Sequence, residues 1–127
     1  MKSGLFKYVA HPDIILVGYQ TEDDFIYKHI VELCKASIKY NVPLEINLAG
    51  ALRHLQYGCS IEQCDEVYYP FARFWKIVGD MKAPVVLGID AHKPEELLNP
   101  PLSVAENYIS RFNLKVIEKL NMEINHF

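Results

Sequence analysis

The sequence predicts an α/β fold, in which the strands of a parallel sheet alternate with helices. Two observations predict this class. Short runs of strand-forming residues alternate with stretches whose apolar residues recur at helical spacing, in the order β-α-β-α-β-α-β. In addition, residues 83–89 are apolar without alternation, which is typical of a strand covered on both faces in a parallel sheet.

The length and composition narrow the class of protein further. The 127 residues suit a single domain over 1–127, and the 50% hydrophobic content excludes a disordered chain. The net charge of −3 argues against nucleic-acid binding, and no apolar run reaches the ~20 residues that span a membrane. An odd number of cysteines, three, favours reduced thiols and a cytoplasmic location.

The first elements follow from local patterns. A strand is predicted over residues 5–10, and Pro12 ends it. A helix is predicted to begin with Thr21 as its N-cap and to end at Asn41, which suits a left-handed C-cap. The apolar face of this helix is predicted to consist of Ile26, Ile30, Leu33, Cys34 and Ile38. Residues 44–47 are the second predicted strand.

The later elements are predicted in the same way. An apolar helical face spans residues 71–78 and leads to the third strand, residues 83–89. Pro94 is predicted to lie near the first position of a short helical turn. Ser103 begins a capping-box pattern and a helix that ends at about Phe112, and residues 114–120 are the last predicted strand.

Functional groups of parallel sheets gather at the carboxyl ends of the strands. Asp90 and His92 stand two residues apart in an extended segment, so both can hold one metal ion together with His11 from a neighbouring strand. Such nitrogen and oxygen ligands suit zinc, manganese or iron, which can lower the pKa of bound water to about 7. The same rule brings three further side chains to this edge, namely Asp13, Glu45 and Asn47.

Three stretches resemble motifs of the polymerase-and-histidinol-phosphatase (PHP) family. Residues 88–97, Gly-Ile-Asp-Ala-His-Lys-Pro-Glu-Glu-Leu, are similar to the last family motif, Gly-Ser-Asp-Ala-His followed by Pro-Glu. Residues 5–13 resemble the family strand that ends in His-Pro-Asp. The stretch between these motifs in the histidinol-phosphatase branch is similar to Leu44-Glu45-Ile46-Asn47 with Gly50, Arg53 and Tyr69-Pro70.

The resemblance implies a metal-dependent phosphoesterase that hydrolyses L-histidinol phosphate to L-histidinol and phosphate, as part of a distorted (β/α)7 TIM-like barrel. His11, Asp90 and His92 would be metal ligands, and Asp90 and His92 would also be the catalytic pair. Arg53 would bind the small phosphorylated substrate, and Asp13 would orient its neighbour. The family's His-x-His strand and its other ligands are not among these motifs, so the resemblance covers the C-terminal half of the family domain. It implies association with a second copy or with a separate N-terminal half.

Two other interpretations remain open. The chain can be a non-catalytic PHP-like remnant, or a metal- or phosphate-binding module that needs a partner chain. It can also be a phosphate-ester binder that uses Arg53, His54 and Lys93 without a metal. The metal content of the protein and its phosphatase activity, compared with those of His92→Ala, would distinguish these alternatives.

Overall fold

The computed structural model describes residues 1–19, 21, 23–50, 52, 58, 60, 69–120 and 122. The helices that lie wholly within these ranges are α1 (Ile15–Gly18), α2 (Asp24–Tyr40), α3 (Ala72–Met81) and α4 (Leu102–Phe112), and the strands are β1 (Leu44–Asn47), β2 (Pro84–Gly88) and β3 (Lys115–Val116). Two 3₁₀ turns, Pro12–Ile14 and Pro94–Leu97, precede α1 and follow β2. No helix in these ranges combines the length and the apolar character that a membrane crossing requires.

The described strands form a small parallel sheet in the order β1-β2-β3. Both strand pairs are parallel, and Asn47 at the end of β1 lies opposite Gly88 at the end of β2. Val9 adds an isolated parallel bridge to Leu44 at the first residue of β1. The mixed helix-and-strand class and the parallel direction are therefore confirmed. Because the strands are parallel, their carboxyl ends lie along one edge of the sheet.

The predicted strand over residues 5–10 is reduced to the single bridge at Val9. Val9 donates its N–H to the carbonyl of Pro43 and accepts the N–H of Glu45, both at 2.9 Å. The ladder cannot extend towards residue 7, because Pro43 has no N–H to donate. It does not extend forward, because His11 donates its N–H to the Glu45 carboxylate at 2.9 Å. The chain then enters a 3₁₀ turn instead of continuing as a strand.

The N-cap of helix α2 lies two residues later in the sequence than predicted. The Asp23 carboxylate accepts the N–H of Ile26 at 3.0 Å, so Asp23 is the N-cap and the prediction of Thr21 is wrong. A carboxylate here also interacts favourably with the helix dipole. The predicted end is confirmed, because Asn41 adopts the left-handed conformation with φ of 51°. Ile38 is 47% exposed, contrary to its prediction, and the buried face consists of Ile26, Ile30, Cys34 and Ser37.

The helices and strands after residue 70 lie where they were predicted, but they begin or end at different residues. Helix α4 begins at Leu102 with Pro101 at the N-cap position, so Ser103 lies in the first turn and the predicted capping box is wrong. Two consecutive prolines fix φ before this helix and set its start without a side-chain cap. Strand β3 has only two residues of the predicted 114–120, whereas the short turn that begins at Pro94 is confirmed.

The hydrophobic core lies on one face of the sheet. Leu44 and Ile46 of β1 belong to the same buried cluster as Phe74 and Trp75 of α3. Fully burying a side chain such as Leu44 or Phe74 contributes about 1.5–3 kcal/mol. Successive strand residues point to opposite faces, so Glu45 and Asn47 project from the other face of β1. Both side chains are also buried. They belong to the face of β1 opposite the hydrophobic core.

Candidate active site

A pocket of about 370 Å³ lies at the carboxyl ends of the strands. It contains the three predicted metal ligands, since His11, Asp90 and His92 all line it. The remaining described lining consists of Ile14, Ala49, Leu52, Tyr69 and Glu96. Residues that are far apart in the sequence therefore meet at one edge of the sheet, as its parallel strands predict.

The chain turns sharply where β2 delivers Asp90 and His92. Asp90 has a φ of 49°, a left-handed conformation that Asp tolerates better than most residues. The Nδ1 atom of His92 lies 2.8 Å from the carbonyl oxygen of Asp90. Because a carbonyl can only accept, Nδ1 carries the proton in neutral His92, and Nε2 keeps its lone pair. This tautomer leaves Nε2 available as a metal ligand.

The Glu96 carboxylate fixes the loop that carries His92. Its Oε2 atom accepts the N–H of His92 at 2.7 Å and the N–H of Lys93 at 3.3 Å. Glu96 belongs to the 3₁₀ turn Pro94–Leu97 and also lines the pocket. The sequence predicted no role for Glu96. The available signal was a glutamate three residues after Lys93, since this spacing lets a carboxylate cap a helix start.

Asn47 forms a hydrogen bond with the Asp90 carboxylate. Its Nδ2 group donates to Oδ2 of Asp90 at 3.0 Å, and its Oδ1 atom accepts the N–H of Gly50 at 3.1 Å. Asn47 is only 1% exposed, so this amide is surrounded by protein. The last residue of β1 is thus joined by a side-chain hydrogen bond to the segment that follows β2.

Glu45 holds the backbone of His11. Its carboxylate accepts the His11 N–H and lies against Gly88, where an added Cβ would come within 1.7 Å of Oε1. Glycine at position 88 therefore makes room for the Glu45 side chain. The Nδ1 atom of His11 is buried and has no hydrogen-bond partner among the described residues. A buried polar atom of this kind requires an explanation, such as a ligand.

Asp13 lies in the core and not at the pocket. Its Oδ2 atom accepts the N–H of Phe71 at 2.8 Å and the indole N–H of Trp75 at 3.0 Å. Burial raises the pKa of Asp13 to about 6, although both hydrogen bonds act to lower it. These contacts join the Pro12–Ile14 turn to α3 and do not support the expectation that Asp13 orients His11.

The described lining of the pocket contains none of the residues predicted to bind phosphate, namely Arg53, His54 and Lys93. Arg53 and His54 lie outside the described residues, so their predicted roles stay predictions. Lys93 is exposed, and the part of the pocket lining that the structure describes contains neither lysine nor arginine. It contains two carboxylates, those of Asp90 and Glu96.

The donor atoms at the pocket fit a divalent cation in type. Imidazole nitrogens of His11 and His92 and a carboxylate of Asp90 are ligands that zinc, manganese and iron accept. The buried Nδ1 atom of His11, for which the described residues offer no hydrogen-bond partner, agrees with such a role. Among the residues that the structure describes, no group of three or more His, Cys, Asp or Glu is arranged to hold a metal ion. The fit of these residues to a divalent cation therefore depends on the chemical type of their donor atoms and on their position around one pocket.

No family model, curated protein or solved structure matches this chain.

Proposed function

We propose that the chain is a metal-dependent phosphoesterase of the PHP type, which hydrolyses a small phosphorylated substrate such as L-histidinol phosphate. The observation that carries this proposal is the meeting of His11, Asp90 and His92 at one pocket. These residues come from two separate motifs that resemble one family, and that family uses them as metal ligands. Their common position supports the proposal, because it places side chains from both motifs around one pocket.

The charge of the described part of the pocket lining favours a metal over direct phosphate binding by these residues. A phosphate monoester is a dianion near neutral pH, and it would meet the carboxylates of Asp90 and Glu96. Like charges at contact distance repel each other. A divalent cation held between carboxylate and phosphate would reverse this interaction.

His11, Asp90 and His92 would hold the metal, and Asp90 and His92 would be the catalytic pair. The bound cation would supply a Lewis acid and a water of lowered pKa. Glu96 keeps the His92 backbone in place through its 2.7 Å hydrogen bond, so the imidazole would need little reorganisation. Arg53 follows Leu52, which lines the pocket, and its guanidinium would bind the phosphate oxygens.

The larger assembly is part of the same proposal. The described sheet would form part of a distorted (β/α)7 TIM-like barrel, with further ligands from a second copy or a separate N-terminal half. A cytoplasmic location is consistent with Cys34, which is a buried free thiol.

A phosphatase assay with a matched histidine control tests the proposal. We expect the chain to hydrolyse histidinol phosphate with added Mn²⁺ or Zn²⁺, and His92→Ala to lower the rate by about 100-fold or more, since it removes a ligand. His29→Ala is the control, because His29 is exposed on α2 and is not among the pocket residues. We expect it to retain the rate of the unsubstituted chain. Equal rates in all three proteins would contradict the proposal.

A non-catalytic metal-binding or phosphate-binding module that needs a partner chain is the second candidate. It is supported by the buried Nδ1 atom of His11, which has no hydrogen-bond partner among the described residues and could bind a ligand without any turnover. This module would bind Mn²⁺ or Zn²⁺ without turnover, and elemental analysis of the purified protein would detect the metal. A phosphate binder that uses Arg53, His54 and Lys93 would instead bind inorganic phosphate with no metal present.

A further inference from the structure

We propose that Asn47 is a positioning residue, which fixes the Asp90 carboxylate for the metal ion. The inference deepens the proposed function and rests on it. The geometry that carries it is the pair of hydrogen bonds made by one buried amide, to Oδ2 of Asp90 at 3.0 Å and from the N–H of Gly50 at 3.1 Å.

The two partners determine the orientation of the amide. The Gly50 N–H is a donor, so the Asn47 atom beside it is the oxygen, and the NH₂ group is directed at Asp90. Rotation of the amide by 180° would lose both hydrogen bonds inside the protein, where an unsatisfied polar group is costly. Asn47 therefore presents a fixed donor to one carboxylate oxygen.

The absence of charge on this donor is important for the site. A lysine or arginine at position 47 would also hold Asp90, but it would neutralise the carboxylate that a cation requires. The amide binds one lone pair of Oδ2 and leaves the negative charge and the remaining lone pairs of Asp90 in place. Such hydrogen bonds to ligating carboxylates typically change metal affinity by 10–100-fold.

Asn47 also connects Asp90 to Gly50, which packs against another residue of the pocket lining, Tyr69. Gly50 packs against the Tyr69 ring, where an added Cβ would lie 2.1 Å from Cε2. Tyr69 lines the pocket together with Asp90. The amide of Asn47 therefore sets the position of Asp90 relative to residue 50 and the ring packed on it. Residues 48–50 are helical, and the bond to Gly50 has the spacing of an N-cap.

A pair of substitutions separates the local cap from the positioning of Asp90. In Asn47→Ser the hydroxyl can still accept the Gly50 N–H, because serine is a good N-cap, but it is too short to reach Asp90. Asn47→Ala removes both hydrogen bonds. We expect both variants to weaken Mn²⁺ binding to the full chain by about 10–100-fold, measured by isothermal titration calorimetry. We expect Asn47→Ser to keep the thermal midpoint of the metal-free protein, and Asn47→Ala to lower it.

Asp90→Ala separates failure of the positioning role from failure of the proposed function. If Asp90→Ala weakens Mn²⁺ binding and Asn47→Ser retains full affinity, Asn47 is only a local cap and the inference is wrong. If Asp90→Ala leaves Mn²⁺ binding unchanged, or the unsubstituted chain does not bind Mn²⁺, the proposed metal site is wrong and the inference fails with it. Should Asn47→Ala not fold, the comparison of Asn47→Ser with Asp90→Ala still decides.

Discussion

Among the described residues, Asp13 is a buried carboxylic acid whose ionisation affects the stability of the fold. It is 1% exposed, and the hydrogen bonds from Phe71 and Trp75 only partly replace the water it loses. Burial raises its pKa from 3.8 to about 6, so the folded protein holds this proton more tightly than the unfolded chain. The contribution of Asp13 to stability is therefore fully present below pH 4 and is lost as the pH rises through about 6.

We expect Asp13→Asn to remove this part of the pH dependence. Relative to the unsubstituted chain, the unfolding free energy of the variant should rise by up to about 3 kcal/mol between pH 4 and pH 7. Urea unfolding followed by the fluorescence of Trp75, the single tryptophan, measures this difference. Parallel pH profiles of the two proteins would contradict the assigned pKa.

The positions of individual side chains could be predicted only where the backbone continued as predicted. The parallel-sheet rule correctly brought His11, Asp90 and His92 to one pocket. The same rule placed Asp13 beside His11, but the chain enters a 3₁₀ turn at Pro12, where residues two apart point in different directions. Asp13 is thereby directed into the core, and no periodicity in the sequence indicates this change.

At the scale of helices and strands, long apolar patterns predicted the position of an element better than a single capping residue predicted its end. Helix α2 and strands β1 and β2 lie where the spacing predicted them. The predicted caps Thr21 and Ser103 were both wrong, because several polar residues or prolines compete at each helix start and packing selects among them. The predicted first strand failed for a long-range reason, since both Pro43 and the Glu45 side chain prevent the ladder from continuing.

The packing of α3 against the end of α4 depends on Gly79. An added Cβ at this position would lie 2.0 Å from the carbonyl oxygen of Phe112, which is backbone and cannot rotate away. We expect Gly79→Ala to lower the unfolding free energy by about 3 kcal/mol, because the two helices must move apart. Gly18→Ala is the matched control, since nothing lies within 4 Å of its added Cβ.

The control should be neutral or should raise stability by up to about 1 kcal/mol, because alanine restricts the unfolded chain. Urea midpoints of both variants and the unsubstituted chain measure these effects. A Gly79→Ala midpoint equal to that of Gly18→Ala would show that the helix contact adapts without cost.

At the scale of the molecule, the sheet leaves an apolar edge. Within the described residues Val9 pairs only with Leu44, and the segment before it exposes large side chains. Leu5 is 65% exposed, Phe6 58% and Tyr8 41%. Unpaired edges next to apolar side chains favour association with another chain. The sequence predicted the parallel direction of this sheet, whereas its membership of a TIM-like barrel stays a prediction.

We expect the chain to associate through this edge, with a molar mass that increases with concentration in light scattering. Phe6→Asp should shift the protein towards the monomer, because it places a charge among the apolar side chains beside Val9. Phe25→Asp is the control, since Phe25 is 61% exposed but lies on α2. It should leave the molar mass unchanged. A monomer at the highest concentration would contradict self-association through this edge, and equal effects of both substitutions would place the contact elsewhere.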